Sequence, residues 1–194
     1  MAKKNQKNTK GKIIGAAWKL FYEQGYEDTT VEEIVEESGT SKGSFYHYFE
    51  GKDALLSSLS YLFDEKYQEL MEQMDQSIGC FEQLIYLNQE LFAMIENSIS
   101  LDLLARLYSS QLVTRGEKHL LDRNRYYYRI LTQIIKKGQE NGELRQDMSA
   151  NQITKIYALC ERALLYDWCI CNGEYSLKAY AKEMMPMFLE KIRA

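Results

Sequence analysis

Residues 29–49, TTVEEIVEESGTSKGSFYHYF, decide the fold. Thr30 followed by Glu33 is a capping box, in which the threonine hydroxyl takes a free amide at the helix start and the glutamate reaches back to the cap. Val31, Ile34 and Val35 then recur at helical spacing. Glu32 and Glu33 sit in the first turn, where the positive end of the helix dipole favours them. Gly39 is placed to stop the helix in the left-handed conformation, and Ser41 offers the next N-cap. The second helix, Lys42 to Tyr48, is short. Phe45 and Phe49 are four apart, share a face and belong to the core of a three-helix unit. Tyr46 lies about 100° further round, and Lys42, Gly43, Ser44 and His47 form an outward face. Gly43 costs a helix roughly 0.8–1 kcal/mol, a cost that close approach to another surface would offset. Two helices on a tight glycine turn describe either a plain helical hairpin or a helix-turn-helix. The second helix, hydroxylic and basic outside and aromatic inside, favours a helix-turn-helix whose N-terminal residues meet base edges in the major groove.

Working outward, Ile13 to Leu55, IIGAAWKLFYEQGYEDTTVEEIVEESGTSKGSFYHYFEGKDAL, resembles the N-terminal domain of the tetracycline-repressor (TetR) family of transcriptional regulators without a gap. The resemblance is carried by AAWKLFYEQGYEDTTV, SGTSKGSFYHYF and GKDAL; the rest matches in helical character and length only. It implies an all-α chain with an N-terminal three-helix helix-turn-helix domain and a C-terminal helical ligand-binding and dimerisation domain, about nine helices in all. The expected division is a basic flexible arm at 1–12, a DNA-binding domain at 13–51 and the second domain at 52–194. Gly15 in the first helix and the acidic run Glu32, Glu33, Glu36, Glu37 in the second depart from the pattern; Glu36 and Glu37 must face away from phosphate. On this reading Thr40, Lys42, Gly43, Ser44 and His47 lie near bases or adjacent phosphates, and Thr30, Ser41, Tyr46 and Lys52 hold phosphates.

A net charge of −4 is unusual for a DNA binder, and its distribution matters. Residues 1–12 carry five lysines and no acid, residues 13–52 carry three basic and eight acidic groups, and the remainder carries 16 and 20. Positive potential is therefore local to the tail, Lys42 and Lys52. The tail reads equally as a solubilising extension or a phosphate-contacting arm. No apolar run approaches the roughly 18 residues of a transmembrane helix, and MAKKNQKNTKGK lacks the apolar region of a signal peptide; a cytoplasmic protein is expected.

Beyond the first domain, Gly51 opens a run read as one rigid rod over 52–75. Later helices are expected at 80–95, 101–113, 119–141, 150–172 and 176–192, with breaks at Gly79, Gly116, Gly142 and Gly173 and a kink at Pro186. In 150–172, Ile153, Ile156, Tyr157, Cys160, Leu164 and Trp168 form one apolar stripe and Leu159, Ala163, Tyr166 and Ile170 another. The last helix repeats this with Leu177, Ala181, Met184, Phe188 and Ile192 beside Met185 and Leu189. Helices apolar on two faces are buried on two sides, and a two-fold homodimer through 150–172 and 176–192 meets the requirement; a large monomeric core is the alternative. Tyr86, Met94, Leu103, Leu107, Tyr108, Tyr127, Leu131, Cys160, Leu164 and Trp168 are the candidate lining of a pocket for an apolar or aromatic effector, although most such residues in a helical protein are core.

Nothing points to an enzyme, a cofactor or a metal. His47 and His119 are far apart, and no metal spacing, phosphate loop or nucleophile motif occurs. Cys169 and Cys171 point in nearly opposite directions on a helix, while Cys160 and Cys171 share a face about 16 Å apart. The expected function is a ligand-released repressor that binds a palindromic operator as a dimer. The alternatives are a DNA-bound scaffold without ligand and a thiol sensor acting through Cys169 or Cys171.

Overall fold

The computed structural model describes residues 2–113 and 118–194, with side chains from Thr9 onward. The chain is all-α, as the pattern predicts; an isolated bridge between Leu144 and Arg193 is the β-type pairing among the described residues. In order the helices are α1 (Ala2–Gln24), α2 (Val31–Ser38), α3 (Lys42–Tyr48), α4 (Lys52–Leu56), α5 (Leu59–Gln73), α6 (Cys80–Ser98), α7 (Leu101–Val113), α8 (Tyr126–Glu140), α9 (Ala150–Ile170) and α10 (Leu177–Leu189). Short 3₁₀ turns occupy His119–Leu121 and Glu190–Ile192.

Two expectations are corrected, and the stretch expected as an arm is helical from Ala2 as part of α1; the side chains of Lys3, Lys4 and Lys7 lie outside the described residues. The rod at 52–75 is two helices. Ser57 Oγ donates to the Ala54 carbonyl at 2.7 Å, Ser58 Oγ to that of Leu55, and Ser60 Oγ to that of Ser57 at 2.6 Å. Three serines in four residues offer the backbone side-chain partners that compete with the helical ladder. The helix expected at 119–141 is a 3₁₀ turn followed by α8. The break at Gly116 falls outside the described residues.

The chain packs as two units, 1–60 with 106–120, and 61–105 with 121–194. This division differs from a cut at 51/52, because α4 and the end of α7 pack with the N-terminal helices. In the first unit Ile13, Ala17, Phe21, Ile34, Phe45 and Leu55 are buried together. Trp18 Nε1 donates to Ser58 Oγ at 2.8 Å, and Arg106 pairs with Glu27 at 2.6 Å.

In the second unit α6 packs on α8 and α10, and α9 on α8 and α10. Gly138 lets the chain approach closely, since a Cβ there would lie 2.7 Å from Leu144 Cδ1 and 2.9 Å from Cys80 Cβ. The two stripes of α9 separate cleanly. Ile153, Tyr157, Leu164 and Trp168 are buried, whereas Leu159, Tyr166 and Ile170 are 58, 52 and 60% exposed. On α10, Leu177, Ala181, Met185 and Leu189 are buried, and Met187 and Phe188 are exposed.

Candidate nucleic-acid interface and effector cavity

The turn between α2 and α3 is fixed at each step by side-chain chemistry. Thr30 Oγ1 accepts the Glu33 amide at 3.2 Å, and Glu33 Oε2 accepts the Thr30 amide at 2.7 Å. Gly39 closes α2 at φ 60°, ψ 31°, a region costly for residues with a Cβ. The Thr40 hydroxyl bonds that of Ser38 at 2.8 Å. Ser41 Oγ accepts the Ser44 amide at 3.1 Å and meets the Ser44 hydroxyl at 2.9 Å. Phe45 and Phe49 are buried with ring centroids 5.7 Å apart, which anchors α3 by its inner face.

Its outer face presents Lys42, Gly43, Tyr46 and His47 to solvent, with Ser44 half-buried beside them. A Cβ on Gly43 would find nothing nearer than Ser41 Oγ at 3.9 Å, so the fold itself does not require a glycine there. Lys42 pairs with Glu32 across the turn, which raises the lysine and lowers the carboxyl through a shared hydrogen bond. Glu37 is held by Lys19 of α1 at 2.7 Å, and Glu36 is exposed.

Lys52, expected at a phosphate, is engaged within its own unit. Its ammonium donates to the carbonyls of Tyr26 at 2.6 Å, Thr29 at 2.8 Å and Glu27 at 3.2 Å, and sits 4.3 Å from the centre of the Tyr26 ring. All three N–H donors of a lysine are thereby used, which leaves none for a phosphate. Lys52 ties the start of α4 to the loop before α2. Tyr26 itself donates to Asp53, and burial together with that carboxylate holds its phenol well above the ordinary range.

The residues expected to line an effector pocket are packed to different degrees. Leu103, Leu107, Tyr127, Leu131, Leu164 and Trp168 are at most 7% exposed and fill the cores of their units. Tyr86, Met94, Tyr108 and Cys160 are half-buried, and none of the ten lines either of the two hollows described below. A cavity of about 450 Å³ lies instead between α8 and α9. Its wall carries Arg123, Arg129, Lys136, Lys155 and Arg162 and no carboxylate, with Thr132, Thr154 and Asn151 among them. A more open hollow of about 760 Å³ in the first unit has Tyr26, Asp53 and Arg106 on its wall, each already paired within that unit.

A buried carboxylate was not among the expected site residues. Glu161 of α9 is 4% exposed and accepts from Tyr127 at 2.6 Å, Asn88 at 3.0 Å and Tyr67 at 3.2 Å. Burial pushes its pKa up against the opposing effect of these hydrogen bonds. Nearby, Asp64 and Arg125 form a largely buried pair at 2.8 Å. The sole sequence signal for Glu161 is an acid one turn from Tyr157 and Leu164 on the apolar stripe. Burial also raises the thiols of Cys160 and Cys169, the latter to about 11. Cys169 is thus a poor thiolate, which counts against a thiol sensor acting through it.

A helix-turn-helix presented by a buried aromatic pair, joined to a second helical unit, defines a DNA-binding regulator. Similarity to known proteins identifies which kind. Residues 13–59 match the model described as bacterial regulatory proteins of the tetR family, and residues 63–191 match the YsiA-like protein C-terminal region. The chain belongs to the TetR family of bacterial transcriptional regulators. It is 23% identical over 184 residues to the fatty acid metabolism regulator protein of Bacillus subtilis, covering 93% of both chains. It is 29% identical over 157 residues to the transcriptional regulator QacR of Staphylococcus aureus, covering 78% of this chain and 81% of that one. Among solved structures, Thermus thermophilus FadR in complex with lauroyl-CoA superposes with a TM-score of 0.74 at 24% identity over 93% of each chain. No helix among the described residues is long and apolar enough to cross a membrane.

Proposed function

We propose that the chain is a cytoplasmic homodimeric repressor that sets α3 of each protomer into successive major grooves of a palindromic operator and is released by a small molecule. The observation that carries the DNA reading is the outer face of α3. Lys42, Gly43, Tyr46 and His47 stand in solvent on a helix locked from beneath, and the glycine has no role inside the fold. In this reading His47, Ser44, Thr40 and Lys42 meet bases or adjacent phosphates, while Tyr46, Ser41 and Thr30 hold phosphates; Lys52 is not among them. The exposed apolar faces of α9 and α10 support a dimer formed through these helices, since patches of this kind mark association surfaces. An effector with an apolar portion is supported by the lauroyl-CoA complex of the FadR neighbour. Release requires that the effector bind the DNA-incompetent state more tightly.

The test is selection of bound sites from random duplex DNA at low salt. An enriched palindrome whose base preferences shift in His47→Ala is expected. Absence of enrichment would overturn the DNA reading, and an enriched asymmetric half-site would overturn the dimer.

A further inference from the structure

We infer that the hollow between α8 and α9 is a binding site for a small molecule bearing a diphosphate or an equivalent cluster of negative charges. Five cationic side chains converge on it from three segments: Arg123 before α8, Arg129 and Lys136 on α8, and Lys155 and Arg162 on α9. Among the described residues none of the five is joined to a carboxylate. In a chain with 28 acids and 24 bases this segregation is not a compositional accident of a basic surface. Elsewhere Lys19, Lys42, Lys66, Arg106, Arg125, Arg145, Lys178 and Arg193 each hold a carboxylate.

Like charges on facing helices repel, and a concave wall of lower dielectric focuses their field. A multivalent anion relieves that repulsion. The arginines suit phosphate oxygens, which are acceptors only. Arg162 already donates to the Tyr128 hydroxyl at 3.3 Å, and the Thr132 and Thr154 hydroxyls donate to the Tyr128 and Ala150 carbonyls at 2.7 and 2.8 Å, so the cations supply the donors. Arginine forks are strong donors to such oxygens. Five cations exceed what one phosphate can engage, which is why the charge points to two linked phosphates. The volume of about 450 Å³ lies within the range of small-molecule pockets. The binding inference stands on this geometry alone; only its regulatory consequence rests on the repressor reading, where the site would take the charged end of the effector.

The experiment titrates the full chain calorimetrically at about 50 mM salt, where screening is weak, with inorganic pyrophosphate, ADP, dodecanoyl-CoA and dodecanoate. Pyrophosphate, ADP and dodecanoyl-CoA are expected to bind with one site per chain. The double variant R129E/K155E should weaken all three at least tenfold, while K137E, one residue beyond Lys136 and outside the hollow, should leave them unchanged. Dodecanoyl-CoA tighter than ADP by tenfold or more would assign the site to a thioester carrier; equal affinities would assign it to nucleotides. Circular dichroism checks that the double variant folds, and if it does not, the milder R162Q and K136Q provide the same comparison. No binding of any phosphate, equal loss in K137E, or binding of dodecanoate as tight as dodecanoyl-CoA would overturn the inference. Because no operator is needed, these outcomes are separate from failure of the repressor reading, which the site selection reports independently.

Discussion

Replacing Lys52 by methionine separates two roles that the same lysine could play. Its ammonium meets two half-buried carbonyls at 2.6 and 2.8 Å, one exposed carbonyl at 3.2 Å, and the Tyr26 ring at 4.3 Å. Hydrogen bonds from a charged donor contribute about 1.5–3 kcal/mol each when buried. Water can replace the exposed one and part of the others, and the ring contact adds about 0.5–1 kcal/mol. The expected loss is about 2–3 kcal/mol in the first unit, or roughly 4–12 °C in Tm for a chain of this size. Trp18, edge-on to Phe21 with centroids 5.6 Å apart, lies in the same unit and reports its unfolding. Urea titration by tryptophan fluorescence in a Trp168→Phe background reads it alone. The second readout is the salt dependence of operator binding below the transition. Were Lys52 a phosphate ligand, its removal from both protomers would reduce the log–log slope by about 1.8 per dimer. The clamp reading expects a lowered unfolding midpoint and an unchanged slope. An unchanged midpoint with a reduced slope would refute it and restore Lys52 to the DNA surface. Lys42→Met is the internal comparison: its partner Glu32 is exposed, so the midpoint should not move.

Gly43→Ala should stabilise the first unit by about 0.5–1 kcal/mol by removing a helical glycine, since a Cβ there is unobstructed. The same change should weaken operator binding at least fivefold in a gel-shift titration, and unaltered binding would remove the close approach of α3 to DNA. Glu161→Gln should flatten the pH dependence of stability. Because burial raises the folded-state pKa of Glu161 above its ordinary 4.5, its favourable contribution is present at low pH and is lost as pH rises through the folded value. The wild type should therefore lose stability relative to the variant from pH 4.5 upward in urea titrations, and parallel profiles would show that the carboxylate is not desolvated. Leu159→Asp with Phe188→Asp, both at exposed apolar positions, should give a monomer in sedimentation velocity with an unchanged helical signal; a persistent dimer would place the interface elsewhere.

What could be read from residue order was what is local. The capping box at Thr30 and Glu33, the stop at Gly39 and the cap at Ser41 depend on residues within four positions of each other, and the separate stripes of α9 follow from helical periodicity alone. The Ser57–Ser58 break was hidden because Leu55, Leu56, Leu59, Leu62 and Phe63 keep a helical apolar rhythm across it; the competing hydroxyl bonds change the backbone, not the rhythm. Lys52 looked like a phosphate ligand because a lysine at a helix start carries no sign of the carbonyls that Tyr26, Glu27 and Thr29 turn toward it. The cationic hollow was invisible for a related reason. Arg129 and Lys136 are two turns apart on one helix, Lys155 and Arg162 two turns apart on another, and each pair alone is an ordinary solvated face. Their packing side by side makes the site. The aromatic and methionine residues nominated as a pocket have the composition of one, but the same composition fills a core.

The engagement of Lys52 within the fold bears on how an acidic chain would hold DNA. With Lys52 directed inward and Lys42 shared with Glu32, the cations that the described side chains offer near α3 are few. Counterion release scales with the number of phosphates neutralised, so the non-specific component of binding should be small. On the proposed DNA reading, hydrogen bonds from Tyr46, His47 and the hydroxyls of Thr40 and Ser44 would then carry a larger share of the free energy, and those to base edges would distinguish sequences. A weak electrostatic background with intact base reading raises the ratio of specific to non-specific affinity. An inward lysine and a paired one would therefore make α3 more selective, and the expected signature is a shallow salt slope together with a sharp loss of binding for each mismatched base pair.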